Sequence, residues 1–256
     1  MQPLSIGILS WHSTDVLINT LKSYHDNGLI GLSNDINIYF QEINDDDKRI
    51  AQHFGVKYMG SKDNIGIGQA MMKLANTARH PSILLLEHDW QLICSPKLTD
   101  ERLSSGLDLL EFGYDCVRYR HREHPGFPHF SEKNYSSVEK ALAYIDPEIK
   151  APYPHLLDSV HWMQEPDKSF PGKIGKQLIN NETYYVAPSK FANFTNNPCL
   201  YKKDFYLNAV KPFTGSGIQL EGKISYAWAR ANYNVAHGQG LFRHNDFVKH
   251  PQHARS

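Results

Sequence analysis

The order of apolar segments predicts an α/β fold with a largely parallel central sheet flanked by helices, on three observations. Strand-like and helix-like segments alternate over the first ninety or so residues with short connections, as a chain of β-α-β units requires. The run Ser82-Ile83-Leu84-Leu85-Leu86 is apolar without alternation, the pattern of a central strand covered on both faces. It leads directly into Glu87-His88-Asp89, so two carboxylates fall at the C-terminal end of a buried strand, where open α/β sheets bind their ligands.

The elements follow in order. Leu4–Ser10 reads as the first strand, and Thr14–Tyr24 as a helix with its inner positions at Val16, Leu17, Thr20 and Leu21. Ile36–Glu42 is the second strand. Asp45–Phe54 is a helix whose acidic first turn suits the helix dipole, and Val56–Met59 is a short strand. Ile67, Met71, Leu74, Ala75 and Ala78 recur at helical spacing and mark the amphipathic helix that feeds the Glu87-His88-Asp89 strand. Beyond Tyr119 the character changes. Residues 120–180 carry many prolines and histidines and one helix candidate, Ser137–Tyr144; a long irregular stretch of this kind in a compact chain is usually functional. Its Phe127, Phe130, Tyr153 and Trp162 favour an ordered, substrate-facing insertion over disorder. Regular structure returns at Thr183–Ala187, Pro198–Tyr201 and a helix over 217–232. No linker or repeat interrupts the chain, so residues 1–256 are expected to form one domain, with 1–119 and 120–256 as its two halves.

Bulk composition narrows the function classes. The 27 basic and 27 acidic residues balance, which excludes the basic footprint of a nucleic-acid binder. Cys94, Cys116 and Cys199 are isolated and odd in number, against both a disulfide framework and a cysteine-based zinc site. No leader pattern opens the chain, and no apolar run reaches the ~18 residues of a membrane span. A cytoplasmic protein without a membrane span is expected. The aromatic residues and 14 histidines are compatible either with a surface that stacks on sugar rings or with a tyrosine-rich core.

Three further groups converge on the acid pair. The first strand ends in Ser10-Trp11-His12, polar and aromatic residues at an edge where a base can lie, although a helix cap at Ser13 or Thr14 explains the same polarity. The second strand ends in Gln41-Glu42, another carboxylate. Asp63-Asn64-Ile65-Gly66-Ile67-Gly68-Gln69 opens a helix with two glycines, where backbone N–H groups can meet phosphate. It lacks the third glycine of a dinucleotide fingerprint and does not follow the first strand, which argues against a nicotinamide site. Two carboxylates in a ligand crevice call for a counter-charge, and a divalent metal beside a phosphorylated substrate supplies one; a loop start or helix cap is the plainer explanation of the same acids.

Taken together these residues resemble the nucleotide-sugar half of the GT-A glycosyltransferases, in particular glycosyltransferase family 2. The positions that match are Ser5–His12, Glu42, Asn64-Ile65-Gly66 and Glu87-His88-Asp89, the last standing where the family has its D-x-D motif. With Glu in the first place, the family pattern favours Asp89 as the direct metal ligand, with Glu87 nearer the ribose or a metal-bound water. The resemblance implies that Ser10, Trp11, His12, Glu42, Asn64, Gly66, Gln69, Glu87 and His88 line the nucleotide site. In the second half, the segment from Phe213 to Trp228 resembles the family's glycine turn, acid and helix, and makes Glu221 the catalytic base. Glu221, Ile224 and Trp228 at i, i+3 and i+7 place the carboxylate on the inward face, where burial raises its pKa and the helix terminus opposes that rise; pairing with Lys223 or Arg230, or first-turn capping, is the structural alternative. The tail Gln239–Asp246 resembles GT-A enzymes that recruit a C-terminal histidine as a metal ligand, here His244, beside Mn²⁺ or Mg²⁺.

The function expected is metal-dependent, inverting transfer of a sugar from a nucleoside-diphosphate donor, UDP-linked, to a hydroxyl of a glycan or glycoconjugate acceptor. Two rivals remain. A nucleotidyltransferase shares the sheet and the acids but usually carries a basic, glycine-rich loop after the first strand, which Ser10-Trp11-His12 is not. A non-catalytic GT-A-like module would bind a glycan or nucleotide without turnover.

Overall fold

A computed structural model describes residues 2–124, 165–215 and 220–245 of the chain. The first half folds as its alternation requires: β1 (Leu4–Trp11), α1 (Thr14–Asp26), the short α2 (Leu29–Leu32), β2 (Ile36–Gln41), α3 (Asp45–His53), β3 (Lys57–Gly60), α4 (Ile67–Thr77) and β4 (Ser82–Glu87). The acidic start of α3 is a capping box. Asn44 accepts from the Asp46 and Asp47 N–H groups, and the Asp47 carboxylate accepts from the Asn44 N–H.

The strand that leads into the acid pair spans its whole apolar run, Ser82–Leu86, and one residue more. β4 stops at Glu87, His88-Asp89 form a turn, and β5 (Trp90–Leu92) begins at once. Then come α5 (Pro96–Glu111), β6 (Cys116–Arg120), α6 (Pro166–Ser169), β7 (Gly175–Ile179), β8 (Glu182–Pro188), β9 (Cys199–Lys202), α7 (Lys203–Val210), α8 (Leu220–Ala231) and β10 (Asn234–His244). The expected Ser137–Tyr144 helix and most of the Pro- and His-rich insertion lie outside the described residues.

Among the described residues all the strands belong to one mixed sheet, in the order β3-β2-β1-β4-β9-β6-β10-β8-β7, with β5 pairing β10. β1, β2, β3, β4, β6, β7 and β10 run one way; β5, β8 and β9 run the other. β9 enters antiparallel between β4 and β6, so residues from both halves of the chain share the sheet centre. Alternation along β4 divides the core. Leu84 and Leu86 join α1, α3 and α5 on one face, while Ile83 and Leu85 join α4, α7 and α8 on the other. Each such side chain, fully buried, contributes about 1.5–3 kcal/mol of hydrophobic stabilisation.

The edge of the sheet opposite the acid pair is pinned by a buried carboxylate. Asp35 accepts from Ser5 Oγ (2.6 Å), Arg79 N–H (2.8 Å), Arg79 Nε (2.9 Å) and Asn37 Nδ2 (3.2 Å). It thereby ties the entries to β1, β2 and β4. Burial pushes its pKa up, but the hydrogen bonds from Ser5 and Arg79 and the Arg79 charge outweigh that and bring it from 3.8 to about 2.

Candidate active site

The strand order β2-β1-β4 lines up three strand ends at one edge. Register pairs Trp11 with Gln41 and Leu9 with Glu87, so Glu42, Trp11 and the Glu87-His88-Asp89 turn stand side by side.

On the β1–β2 side, Trp11 Nε1 donates to Glu42 Oε2 at 2.8 Å, and the His12 Nε2 atom contacts the same oxygen. The Trp11 and His12 rings lie 5.2 Å apart. His12 and Glu42 both adopt left-handed backbone, with φ of 47° and 55°, uncommon for residues with a side chain. Strain of that kind persists where surrounding contacts hold it, and it turns both side chains to one another at the sheet edge. The hydrogen bonds to Glu42 lower its pKa, the Trp11 bond most. Ser10, by contrast, is buried within β1.

The loop before α4 is tied to the same edge. Gln41 Oε1 accepts from the Ile65 N–H (2.8 Å), and Asn64 Oδ1 accepts from the Gly66 N–H (2.9 Å). Gly66 has φ 84° and ψ 154°, a region essentially restricted to glycine, and opens α4 without a side-chain cap. Gln69 is half-buried in the first turn of that helix and Asn64 is exposed.

On the β4 side, the turn residues are buried, His88 at 7 % and Asp89 at 8 % exposure, with the His88 N–H donating to Leu9 C=O. His244 Nε2 stands 3.2 Å from Asp89 Oδ2, bringing together residues 155 apart in sequence. The Asn245 N–H donates to Asp89 C=O at 2.7 Å, and the His244 ring packs edge-on against Trp90, centroids 4.9 Å apart. Arg120 lies over that Trp90 ring at 5.3 Å. Glu87 falls on the sheet face of Ile83 and Leu85, the face carrying α7 and α8. Burial pushes its pKa well up, and the charges of Asp89 and then Glu221 push it further.

Glu221 departs from the burial expected of it. Leu220, Ile224, Trp228 and Ala229 form the inward stripe of α8, and Glu221, one residue beyond Leu220, is exposed. Helical spacing admits either residue as the start of the stripe; the larger apolar side chain takes it. Glu221 Oε1 accepts from the Asn196 N–H (2.7 Å) in the loop between β8 and β9, and its charge is felt at Glu87. Two contributors go unmarked by sequence motifs: Trp90, the support of His244, and Asn196, the partner of Glu221. The position of Trp90 immediately after the acid pair is a usable signal; Asn196 has none.

An oxygen and an imidazole nitrogen 3.2 Å apart are a fitting donor pair for a divalent ion. Among the described residues no group of three or more His, Cys, Asp or Glu surrounds one point, so the pair is unlike a closed structural zinc site. It suits Mn²⁺ or Mg²⁺, which take remaining ligands from diphosphate oxygens and water. Asp89 and His244 would hold the ion.

No family model and no curated protein matches the sequence. Solved structures do match the fold. S. aureus TarS (residues 1–349) superposes with a TM-score of 0.54 at 9 % identity, over 94 % of this chain and 60 % of that one. Mannosyl-3-phosphoglycerate synthase from Rubrobacter xylanophilus gives 0.51 at 14 %, over 98 % and 68 %. Glucosyl-3-phosphoglycerate synthase from Mycobacterium tuberculosis, in complex with Mn²⁺, UDP-glucose and phosphoglyceric acid, gives 0.50 at 12 %, over 98 % and 73 %. The chain has the GT-A fold, as its N-terminal motifs predict. Among the described residues no helix is long and apolar enough to cross a membrane.

Proposed function

We propose that this chain is a metal-dependent GT-A glycosyltransferase that moves a sugar from a UDP-linked donor to a hydroxyl of a glycan or glycoconjugate, with inversion at the anomeric carbon. The observation that carries the reading is the Asp89–His244 pair at the end of β4, assembled from the two halves of the chain beside Glu87. Residues 1–119 hold the donor and 120–256 complete the acceptor side, as one working unit. The three buried free thiols are in keeping with a reducing, cytoplasmic setting.

In this reading Trp11 offers a ring face to the base, and Glu42, steadied by Trp11 and His12, accepts from a base N–H. The Asn64–Gln69 loop and the start of α4 direct backbone N–H groups and the helix dipole at phosphate. Asp89 and His244 bind the divalent ion, which when present stabilises the negative charge that develops on the leaving diphosphate. Glu221 takes the proton of the acceptor hydroxyl as its oxygen attacks the anomeric carbon. Its exposure leaves it open to an incoming acceptor, and the Asn196 N–H fixes one carboxylate oxygen so that the other remains for the proton. The M. tuberculosis relative in complex with phosphoglyceric acid extends the acceptor panel to small phosphorylated hydroxy acids.

A thermal-shift panel of nucleoside diphosphates and their sugars, with and without Mn²⁺, tests the donor assignment, because a ligand bound by the native state alone raises the melting temperature. UDP compounds should stabilise the protein more strongly with Mn²⁺. No shift with any nucleotide under either condition would overturn it.

A further inference from the structure

The last strand does not run straight to the site. His237 of β10 pairs with Arg118 of β6 and the next pair is Phe242 with Arg120, so β10 advances five residues while β6 advances two. An odd surplus inverts which face each later side chain meets. Past this bulge β10 keeps β6 on one side through Phe242–Arg120 and on the other exchanges β8 for β5, pairing Phe242 with Leu92, Arg243 with Gln91 and His244 with Trp90. His244 meets Asp89 on this β5-paired segment.

The bulge is held on every side. Gly240 has φ +78°, and a Cβ there would lie 2.1 Å from the Arg120 carbonyl oxygen, so no other residue fits without backbone movement. A Cβ on Gly238 would meet the Tyr184 ring at 2.6 Å. The Gln239 carbonyl accepts from the Arg122 N–H at 3.0 Å. The Gly240 carbonyl accepts from Arg102 Nη1 at 2.7 Å, while Arg102 Nε donates to Glu182 Oε1 at 2.6 Å. Arg102 is largely shielded, its side chain 12 % exposed and that of Glu182 18 %, so the guanidinium is a fixed clasp between α5, the bulge and β8.

We propose that this bulge is a positioning device for His244: Gly240 sets the change of strand partner and Arg102 fixes it, so that both act on the site without touching any reacting group. The geometric part stands alone; its consequence for metal rests on the reading of His244 as a ligand.

Two measurements on Gly240→Ala and Arg102→Lys separate these parts. Lysine keeps the charge facing Glu182 but loses the planar fork that reaches Gly240 as well. Without metal, long-range ¹H–¹⁵N spectra of the His244 ring are compared with those of Asp89→Asn, in which the ring has lost its carboxylate. With UDP present, Mn²⁺ binding is followed by electron paramagnetic resonance. We expect both variants to move the ring resonances toward the Asp89→Asn positions and to weaken Mn²⁺ binding by about tenfold, the usual scale for residues that orient a metal ligand. Adding His244→Ala to Gly240→Ala should cost no further affinity. Ring resonances left at wild-type positions in the folded variants would overturn the proposal, and so would additive losses in the double variant. If Gly240→Ala does not fold, Arg102→Lys carries the same test. Shifted resonances with unchanged Mn²⁺ affinity would support the positioning role and overturn the assignment of His244 to the metal.

Discussion

Asp35→Asn removes one charge from the buried clasp among β1, β2 and β4 and nearly preserves its shape. The Asp35 pKa falls from 3.8 to about 2 on folding, which corresponds to about 2 kcal/mol of stability at neutral pH. Because the folded-state pKa is depressed, this contribution is complete above the unfolded pKa and is lost as pH falls toward 2; at pH 3 about half remains. Only the Asp35 end is converted in this way, since Arg79 is largely exposed and its share is screened. Urea unfolding of wild type and variant at pH 7 and pH 3 measures the gap through the midpoints, provided the slopes agree. The gap should be about 2 kcal/mol at pH 7 and roughly half that at pH 3. Equal gaps at both pH values would show that the charge is not the source, and the hydrogen-bond account of the clasp would fail.

The remaining predictions concern the site. Glu221→Gln should leave donor affinity unchanged and slow single-turnover transfer by on the order of 10²–10⁴, the usual loss of a positioned general base; transfer within about threefold of wild type would place the base elsewhere. His244→Ala should weaken Mn²⁺ binding in the presence of UDP while leaving the urea midpoint near wild type, and a crystal structure with donor and metal in which the imidazole turns from the ion would refute its role. Glu42→Gln should weaken UDP binding about tenfold, the scale of one hydrogen bond to a charged acceptor, with Mn²⁺ held constant. Calorimetric titration checks it, and unchanged affinity would remove Glu42 from the base site.

The sequence made the first half of the fold readable because there local pattern and tertiary environment agree. β1, β2 and β4 are covered on both faces and read as apolar runs, and α1 and α4 present clean stripes. α5 is harder to see because it packs through Ser105 and Gly106, the latter against the Tyr119 hydroxyl, and so breaks the apolar period. β6 hides its strand character behind two buried arginines, and β10 is interrupted by Gly238 and Gly240 at the bulge. At the site, the acid pair and His244 are marked by local motifs and the family resemblance puts them on one ion, but the change of strand partner that brings them together is encoded by no local pattern. The inward placement expected of Glu221 failed for a related reason. The Glu221, Ile224, Trp228 spacing is equally satisfied with Leu220 in the stripe, and only the packing of α8 decides between them.

The proposed site turns over a nucleotide sugar with the help of a metal held at Asp89. Release of nucleoside diphosphate and free sugar from UDP-sugars without acceptor, with Mn²⁺ and with chelator, for wild type and Asp89→Asn, tests it most directly. Proton NMR of the released sugar at early times reports the anomer. Wild type should release sugar in a Mn²⁺-dependent way with an inverted anomer, and Asp89→Asn should lose the metal-dependent rate. Binding of UDP-sugars without any release above the Asp89→Asn level would contradict it and identify a GT-A fold used for binding alone.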